Sequence, residues 1–350
     1  MAFYHLFANS ILHDRCQVWL FYYVKPQTAC CMIMTMKNVG KMKRTECFKI
    51  QVFSADSLDL GEINKGRHLV SIRNDRFNPL HDPVIIEADP FLFVYHNRLY
   101  LFYEHKTLFQ NGVIMMTSTN DLETWEKPCC VLQEKCHLSY PWVFAYNDKV
   151  YMIPETCRMR SIRLYCAEND TLKHFKYQMT LLEENTNPNY RMSYSDTSIY
   201  KNGHKYYLFT TIREEDGINT LKLYVADSLT GKYIEHVCSP ISVSNKFGRN
   251  AGNIFLYQGR IFRPCQDCDN SYGENVHIQH IEKLSKEEYS ESSYKQNVIN
   301  RDTTFFTDGG HQFSWVFFRN QYIVATDAKE YHYFFINKLI NKLHLYAEKE

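Results

Sequence analysis

The sequence predicts an all-β fold, a five-bladed β-propeller built of four-stranded antiparallel blades. Three observations predict it. A strand, a tight turn and a returning strand recur along the chain at intervals in the fifties; aromatic residues stand at matching places in each copy; and nearly all of each unit reads as strand. The aromatic supply is ample, with 23 Phe, 26 Tyr and 4 Trp in 350 residues, and such side chains suit the half-buried face of a sheet.

In chain order, residues 1–47 carry little pattern and read as an extension that need not be ordered. Their basic stretch Lys37, Lys41, Lys43 and Arg44 reads as a solvated loop. Phe48–Phe53 alternates as a strand should, and a propeller closes by pairing its two chain ends in one blade, so this segment is expected to close the ring. The propeller itself is expected over 48–350, with repeats opening near residues 86, 137, 191, 248 and 308. The first hairpin is Ala88–Tyr95, a His96-Asn97 turn, and Leu99–Glu104; Ser139–Tyr146, Asn147-Asp148 and Val150–Glu155 repeat it at an offset of 51. Ser195–Tyr200 turns at Asn202-Gly203 and returns as Tyr206–Thr210; Ala251–Tyr257 turns at Gln258-Gly259 and returns as Arg260–Arg263. The last runs from Phe313 through Arg319-Asn320 to Ala325. Ile336–Leu343, apolar at i, i+3, i+4 and i+7, is expected to form a short amphipathic helix.

Composition narrows the partners. With 40 Lys and Arg against 39 Asp and Glu, the chain lacks the basic excess that grips phosphates, so no nucleic acid is expected. The apolar run Val18–Val24 is far shorter than the ~20 residues of a membrane helix, and His13-Asp14-Arg15 before it does not read as a secretory signal. Neither a membrane span nor export is expected, and a cytoplasmic address is. The 12 cysteines are scattered and read as mostly buried thiols. Cys265 and Cys268 have CxxC spacing but no second pair or matching histidines, so no metal and no cofactor is expected.

Hairpin geometry turns the repeats into a location. The start of the first strand and the end of the second share one edge, so Asp89, Glu104, Tyr140, Glu155 and Asp196 are expected around one funnel. Carboxyls gathered in a cavity can split their pKa values and supply an acid and a base, as glycosidic bond cleavage requires. Asp89, Glu155 and Asp196 are the candidate catalytic groups, with Glu104 the weakest member. His137, Tyr140, Trp142 and Tyr194 would suit the mixed faces of a sugar; Arg249 and Arg263 would bind a carboxylate or phosphate; Gln266, Asp267, Tyr272 and His311 would complete the ligand site. Each also has a plain structural alternative, a tied turn or a polar network within a blade. There is no Gly-rich phosphate loop, HExxH or GxSxG.

Several of these segments resemble a known family. His137-Leu138-Ser139-Tyr140-Pro141, Met152-Ile153-Pro154-Glu155-Thr156, Ala88-Asp89-Pro90-Phe91, Gly248–Gly252, Gln266-Asp267-Cys268 with Tyr272-Gly273, and Asp308–His311 are similar to the N-terminal domain of glucosamine inositolphosphorylceramide transferases and its stand-alone bacterial relatives. The resemblance covers residues 86 to 330. It implies a five-bladed propeller in glycolipid or surface-polysaccharide biosynthesis, acting on a sugar, sugar nucleotide or glycolipid head group. In the plant members a separate glycosyltransferase domain follows the propeller; here the propeller is expected without it, either processing the sugar or serving as a non-catalytic glycan-binding scaffold for a separate glycosyltransferase. A protein-interaction platform is a third use of the fold. More distantly, Asp89-Pro90 resembles the opening of family 43 glycoside hydrolases, in which the equivalent Asp implies a general base. Tyr140 and Asp196 stand where that family carries its other carboxylates, which leaves Glu155 or Asp196 as the acid.

Overall fold

The computed structural model describes residues 8–13, 16–25, 28–32, 44–73, 82–183, 193–213, 217–334 and 337–338. The chain divides into two units, Met1–Arg44 and Thr45–Glu350. In the first, Ala8–His13, Cys16–Lys25 and Thr28–Met32 form an antiparallel three-stranded sheet. The aromatic and β-branched run Val18–Val24 lies in the middle strand. Lys37, Lys41 and Lys43 lie outside the described residues, as does the helix expected over 336–343 apart from Asn337 and Lys338, which are helical.

The second unit is a five-bladed propeller. Blade 1 is Val84–Tyr95, Arg98–Thr107, Val113–Thr119 and Cys129–Leu132; blade 2 is Ser139–Tyr146, Lys149–Glu155, Ser161–Ala167 and Phe175–Glu183. Blade 3 is Tyr194–Asn202, Lys205–Arg213 and Asn219–Ala226, its outer edge shared by Ile234–Glu235 and Ser242–Val243. Blade 4 is Phe255–Tyr257, Arg260–Asp267, Asn275–Leu284 and Tyr289–Lys295. Blade 5 takes Phe313–Phe318 and Gln321–His332 from late in the chain and Thr45–Ala55 and Arg67–Ile72 from early in it. Thr45–Ala55 pairs along its whole length with Tyr322–His332, so the strand expected from Phe48–Phe53 does join the two halves of one blade. A single parallel pairing, Phe48 with Ile86, links blade 5 to blade 1.

The repeated turns have a local cause. His96-Asn97, Asn147-Asp148 and Arg319-Asn320 have positive φ at both residues, the twist that two-residue hairpins need. The aromatic side chains fill the wedges between blades. Phe91, Tyr140, Trp142, Tyr194, Tyr206, Tyr224 and Tyr233 pack with aliphatic residues of blades 2 and 3 in one buried cluster, and Phe53, Phe255, Phe262, Phe306 and Phe313 do the same between blades 4 and 5.

Candidate functional site

Three inner strands open in the same unusual way. Asp89, Tyr140 and Asp196 have φ of 53°, 46° and 49°, and each sits inside a register shift between its strand and the returning one. A bulge with a left-handed residue turns one backbone N–H out of its own ladder. Each freed N–H is taken by a carboxylate of the preceding blade. Asp89 donates to Asp327 Oδ2 of blade 5 at 3.1 Å, Tyr140 to Asp89 Oδ2 of blade 1 at 3.0 Å, and Asp196 to Glu155 Oε2 of blade 2 at 3.2 Å. Asp196 Oδ2 in turn accepts from Arg249 Nε and, at 3.0 Å, from Gln266 Nε2, while its carbonyl accepts Asn250 Nδ2 at 2.8 Å. The funnel carboxylates are thus also the clips that join blade to blade.

Blade 5 completes the ring. Asp327, fully buried, accepts the N–H groups of His311 at 2.7 Å and Gln312 at 3.2 Å on Oδ1. The His311 ring spans two carboxylates, with Nδ1 2.7 Å from Asp327 Oδ2 and Nε2 3.4 Å from Asp89 Oδ1. Burial opposes a charge on this imidazole, but Asp327 and Asp89 outweigh it and hold its pKa above the usual value. The preceding Gly309-Gly310 is a steric requirement: a Cβ on Gly309 would lie 2.4 Å from the Glu274 carbonyl oxygen, and one on Gly310 2.1 Å from that of Asp327. Phe48 packs on the imidazole with ring centroids 4.5 Å apart, and Tyr272 meets it edge-on at 5.1 Å.

The carboxyls differ in protonation. Burial pushes Asp89 up to about 6, with His311 pulling down and Asp196 and Asp327 pushing further up. Burial and the neighbouring Asp196 push Glu155 to about 8, against the pull of Arg249. Glu104, buried beside both, lies well above the usual carboxyl range, first through burial and then through Asp89 and Glu155. His137 brings Nε2 to 3.3 Å from Glu104 Oε1 and accepts the Gly112 N–H on Nδ1 at 2.9 Å; burial, then Lys106 and Arg158, lowers it to about 4. Arg249, with Nη2 3.9 Å from Glu155 Oε2, lies over the Tyr272 ring at 5.1 Å. Glu155, beside the Arg249 guanidinium, and Asp89, beside His311, thus lie on opposite sides of neutrality, a division suited to acid and base roles.

Among the described residues, Asp89, His311 and Asp327 also offer donor atoms within 4.8 Å of one another, as a metal site would. Both ring nitrogens of His311 face carboxylates, Asp327 at Nδ1 and Asp89 at Nε2. At the CxxC pair, burial drives the Cys265 thiol up to about 12 and raises Cys268, the opposite of what a redox thiolate needs. Of the described thiols Cys47, Cys136 and Cys265 are buried, Cys129, Cys166, Cys238 and Cys268 are half-buried, and Cys130 is exposed, fewer buried than expected.

The structure brings Asp89, Glu155, Asp196, Arg249, Tyr272 and His311 together, with His137 beside Glu104 and with Gln266 behind Asp196. Five expected ligand contacts it places elsewhere. Tyr140 is fully buried, its hydroxyl donating to the Gly252 carbonyl at 2.7 Å and accepting the Gly252 N–H at 3.0 Å, so it ties blade 2 to blade 4. Trp142 belongs to the core between blades 2 and 3 and stacks on Phe144 at 4.4 Å; Tyr194, the further sugar-face candidate, lies in the same core. Arg263, fully buried, grips Glu291 of its own blade, with Nε to Oε2 at 2.8 Å, and bonds the Phe247 carbonyl. Asp267 takes His277 Nε2 at 3.0 Å, again within blade 4. These side chains point into a blade or between blades because inward and outward positions alternate along each strand.

Asp327 was absent from the expected set, and Glu104 was its weakest member. Counting from the second turn residue finds both: the seventh residue after Asn97, Asp148, Gly259 and Asn320 is Glu104, Glu155, Gln266 and Asp327. The fifth repeat, read only as far as Ala325, stopped two residues short.

The family model for glucosamine inositolphosphorylceramide transferase 1, N-terminal, matches residues 79–319. The chain belongs to this family. Glucosamine inositolphosphorylceramide transferase 1 of Oryza sativa subsp. japonica is 35% identical over 211 residues, 58% of this chain and 27% of that protein. The protein of the same name from Arabidopsis thaliana is 34% identical over 211 residues, 58% and 26%. The match thus spans about a quarter of the length of these family members. Among solved structures, the family 117 glycoside hydrolase Zg3597 of Zobellia galactanivorans aligns with 69% of this chain and 84% of its own at 12% identity and a TM-score of 0.48. An α-L-arabinofuranosidase of family 43 from Clostridium thermocellum aligns over 68% and 80% at 17% identity, also with a TM-score of 0.48. This is a carbohydrate-related propeller family. No helix among its described residues is long and apolar enough to cross a membrane.

Proposed function

We propose that the funnel binds a sugar, sugar nucleotide or glycolipid head group and processes it by acid–base chemistry in glycolipid or surface-glycan biosynthesis. One arrangement carries this reading: Glu155 and Asp89, both buried and near enough for each charge to act on the other, are held on either side of neutrality, at about 8 and about 6. Glu155 would donate a proton to a leaving oxygen and Asp89 would accept one from the attacking hydroxyl, whether of water or of a second sugar. Arg249 would orient an anionic or hydroxyl-rich group, and Tyr272 would lend a ring face. The names of the plant relatives, transferases of glucosamine to inositolphosphorylceramide, supply the substrate class to try first.

A second reading has its own support. Asp89, Glu155 and Asp327 each accept a backbone N–H across a blade boundary, so the carboxylates at this edge also serve a purely architectural purpose in a glycan-binding scaffold for a separate glycosyltransferase. A thermal-shift screen against sugar nucleotides, free amino sugars and inositol phosphates tests both, since a ligand that binds only the folded state raises its melting temperature. A shift lost in Arg249→Ala supports a sugar site in the funnel; no shift with any sugar at millimolar concentration removes both readings in favour of a protein-interaction platform.

A further inference from the structure

One carboxyl beside the funnel ties no blade to its neighbour. Glu104, Glu155 and Asp327 stand at the same place, the seventh residue after the hairpin turn in blades 1, 2 and 5. Asp327 accepts the N–H of Asp89 and Glu155 that of Asp196, each from the following blade. The corresponding partner of Glu104 is the Tyr140 N–H, and Asp89 Oδ2 already holds it at 3.0 Å. Glu104 is 5% exposed, and its Oε1 is buried with no hydrogen-bond partner among the described residues. His137 Nε2 comes to 3.3 Å from that oxygen but is out of line for a hydrogen bond. An unpaired buried acceptor is costly, and in a native fold it calls for a partner.

We infer that Glu104 and His137 together bind a hydroxyl group of the ligand, which rests on the sugar reading proposed above. His137 is held in one tautomer. Its Nδ1 accepts the Gly112 N–H at 2.9 Å, so the neutral ring carries its proton on Nε2, the nitrogen that faces Glu104. Glycine is required at 112, because a Cβ there would lie 2.7 Å from His137 Cε1 and 2.6 Å from the Leu138 carbonyl oxygen. The pair therefore offers one donor, Nε2–H, and one acceptor, Oε1, 3.3 Å apart. A hydroxyl set against both accepts from the first and donates to the second. A phosphate brings acceptors only and an ammonium donors only, so each satisfies one member of the pair and opposes the other. His137 keeps 23% of its side chain exposed, so the pair is open to solvent on that side. Asp89, Glu155 and Asp327 all act on the Glu104 carboxyl, which places it among the funnel acids.

Urea unfolding and ligand titration of Glu104→Met and Glu104→Gln in the full chain decide between ligand contact and architecture. Methionine keeps the reach of the side chain and removes the unpaired oxygen, so its urea midpoint should equal or exceed the parent's. With the sugar that the thermal-shift screen selects, affinity should fall about tenfold in Glu104→Met and in His137→Phe, and return towards the parent's in Glu104→Gln, which keeps a carbonyl acceptor. One monodeoxy analogue of that sugar should bind the parent about tenfold more weakly and be indifferent to Glu104→Met, since the hydroxyl and the carboxyl form one contact. If methionine alone lowers the midpoint, His137→Phe carries the binding comparison. A lower midpoint in both Glu104 variants makes the carboxyl architectural and overturns the inference whatever binds. Parent-like affinity in Glu104→Met and His137→Phe, or equal sensitivity of every deoxy analogue to Glu104→Met, overturns it and leaves the sugar reading standing. No shift of the parent by any sugar is a different result, in which the sugar reading fails and takes the hydroxyl contact with it.

Discussion

Replacing Glu155 by Gln should make the protein more stable at alkaline pH. Glutamine reproduces the hydrogen bonds of the protonated acid: its carbonyl oxygen accepts the Asp196 N–H, and its amide donates towards the Asp196 carboxylate. What it removes is the cost of ionising a buried group. In the parent, Glu155 titrates at 4.5 when unfolded and at about 8 when folded. The folded state therefore holds a proton that the unfolded chain has released, and stability falls as pH rises through that window, with the contribution complete below 4.5 and gone above 8. At about 1.4 kcal/mol per pH unit the full window is worth roughly 5 kcal/mol, and the interval from about pH 5.5 to 7.5 roughly 3 kcal/mol. Urea unfolding of parent and Glu155→Gln at several pH values gives the difference, in which groups remote from Glu155 cancel and the neighbouring Asp89 and Glu104 respond to the lost charge. The difference should widen steadily in favour of the variant as pH rises. Parallel curves between pH 5.5 and 7.5 would refute the assignment of a protonated acid to Glu155.

Two further substitutions separate architecture from ligand contact. Gly310→Ala places a Cβ 2.1 Å from the Asp327 carbonyl oxygen and should lower stability by ~2 kcal/mol or more while displacing His311, seen as a reduced urea midpoint and a changed His311 imidazole resonance. Arg263→Met leaves Glu291 without its guanidinium and should cost ~3–5 kcal/mol, yet the folded fraction should bind any funnel ligand as the parent does; a specific loss of binding at unchanged stability would return Arg263 to the ligand site.

The hairpins, their turns and the closing strand were legible because turn chemistry and period-two alternation are local signals. The grouping of Asp89, Glu155 and Asp196 was legible for the same reason, since register within a hairpin fixes which residues share an edge. Tyr140, Trp142, Arg263 and Asp267 were not separable from true funnel residues. Whether a polar or aromatic side chain at an inner strand faces the channel, the neighbouring blade or its own blade depends on bulges and on partners 10 to 112 residues away, as with Asp267 and His277 or Tyr140 and Gly252. The partnership of Asp89 with Asp327, 238 residues apart, has no local signature at all.

The central claim is that Asp89 and Glu155 work as base and acid on a sugar in one funnel. Its most direct test is the pH profile of turnover on whichever ligand the thermal-shift screen selects. A bell with limbs near 6 and 8, whose acidic limb disappears in Asp89→Asn and whose alkaline limb disappears in Glu155→Gln, is the expected result. Tight binding with no turnover by the parent at any pH would contradict it and leave the carboxylates as clips between blades.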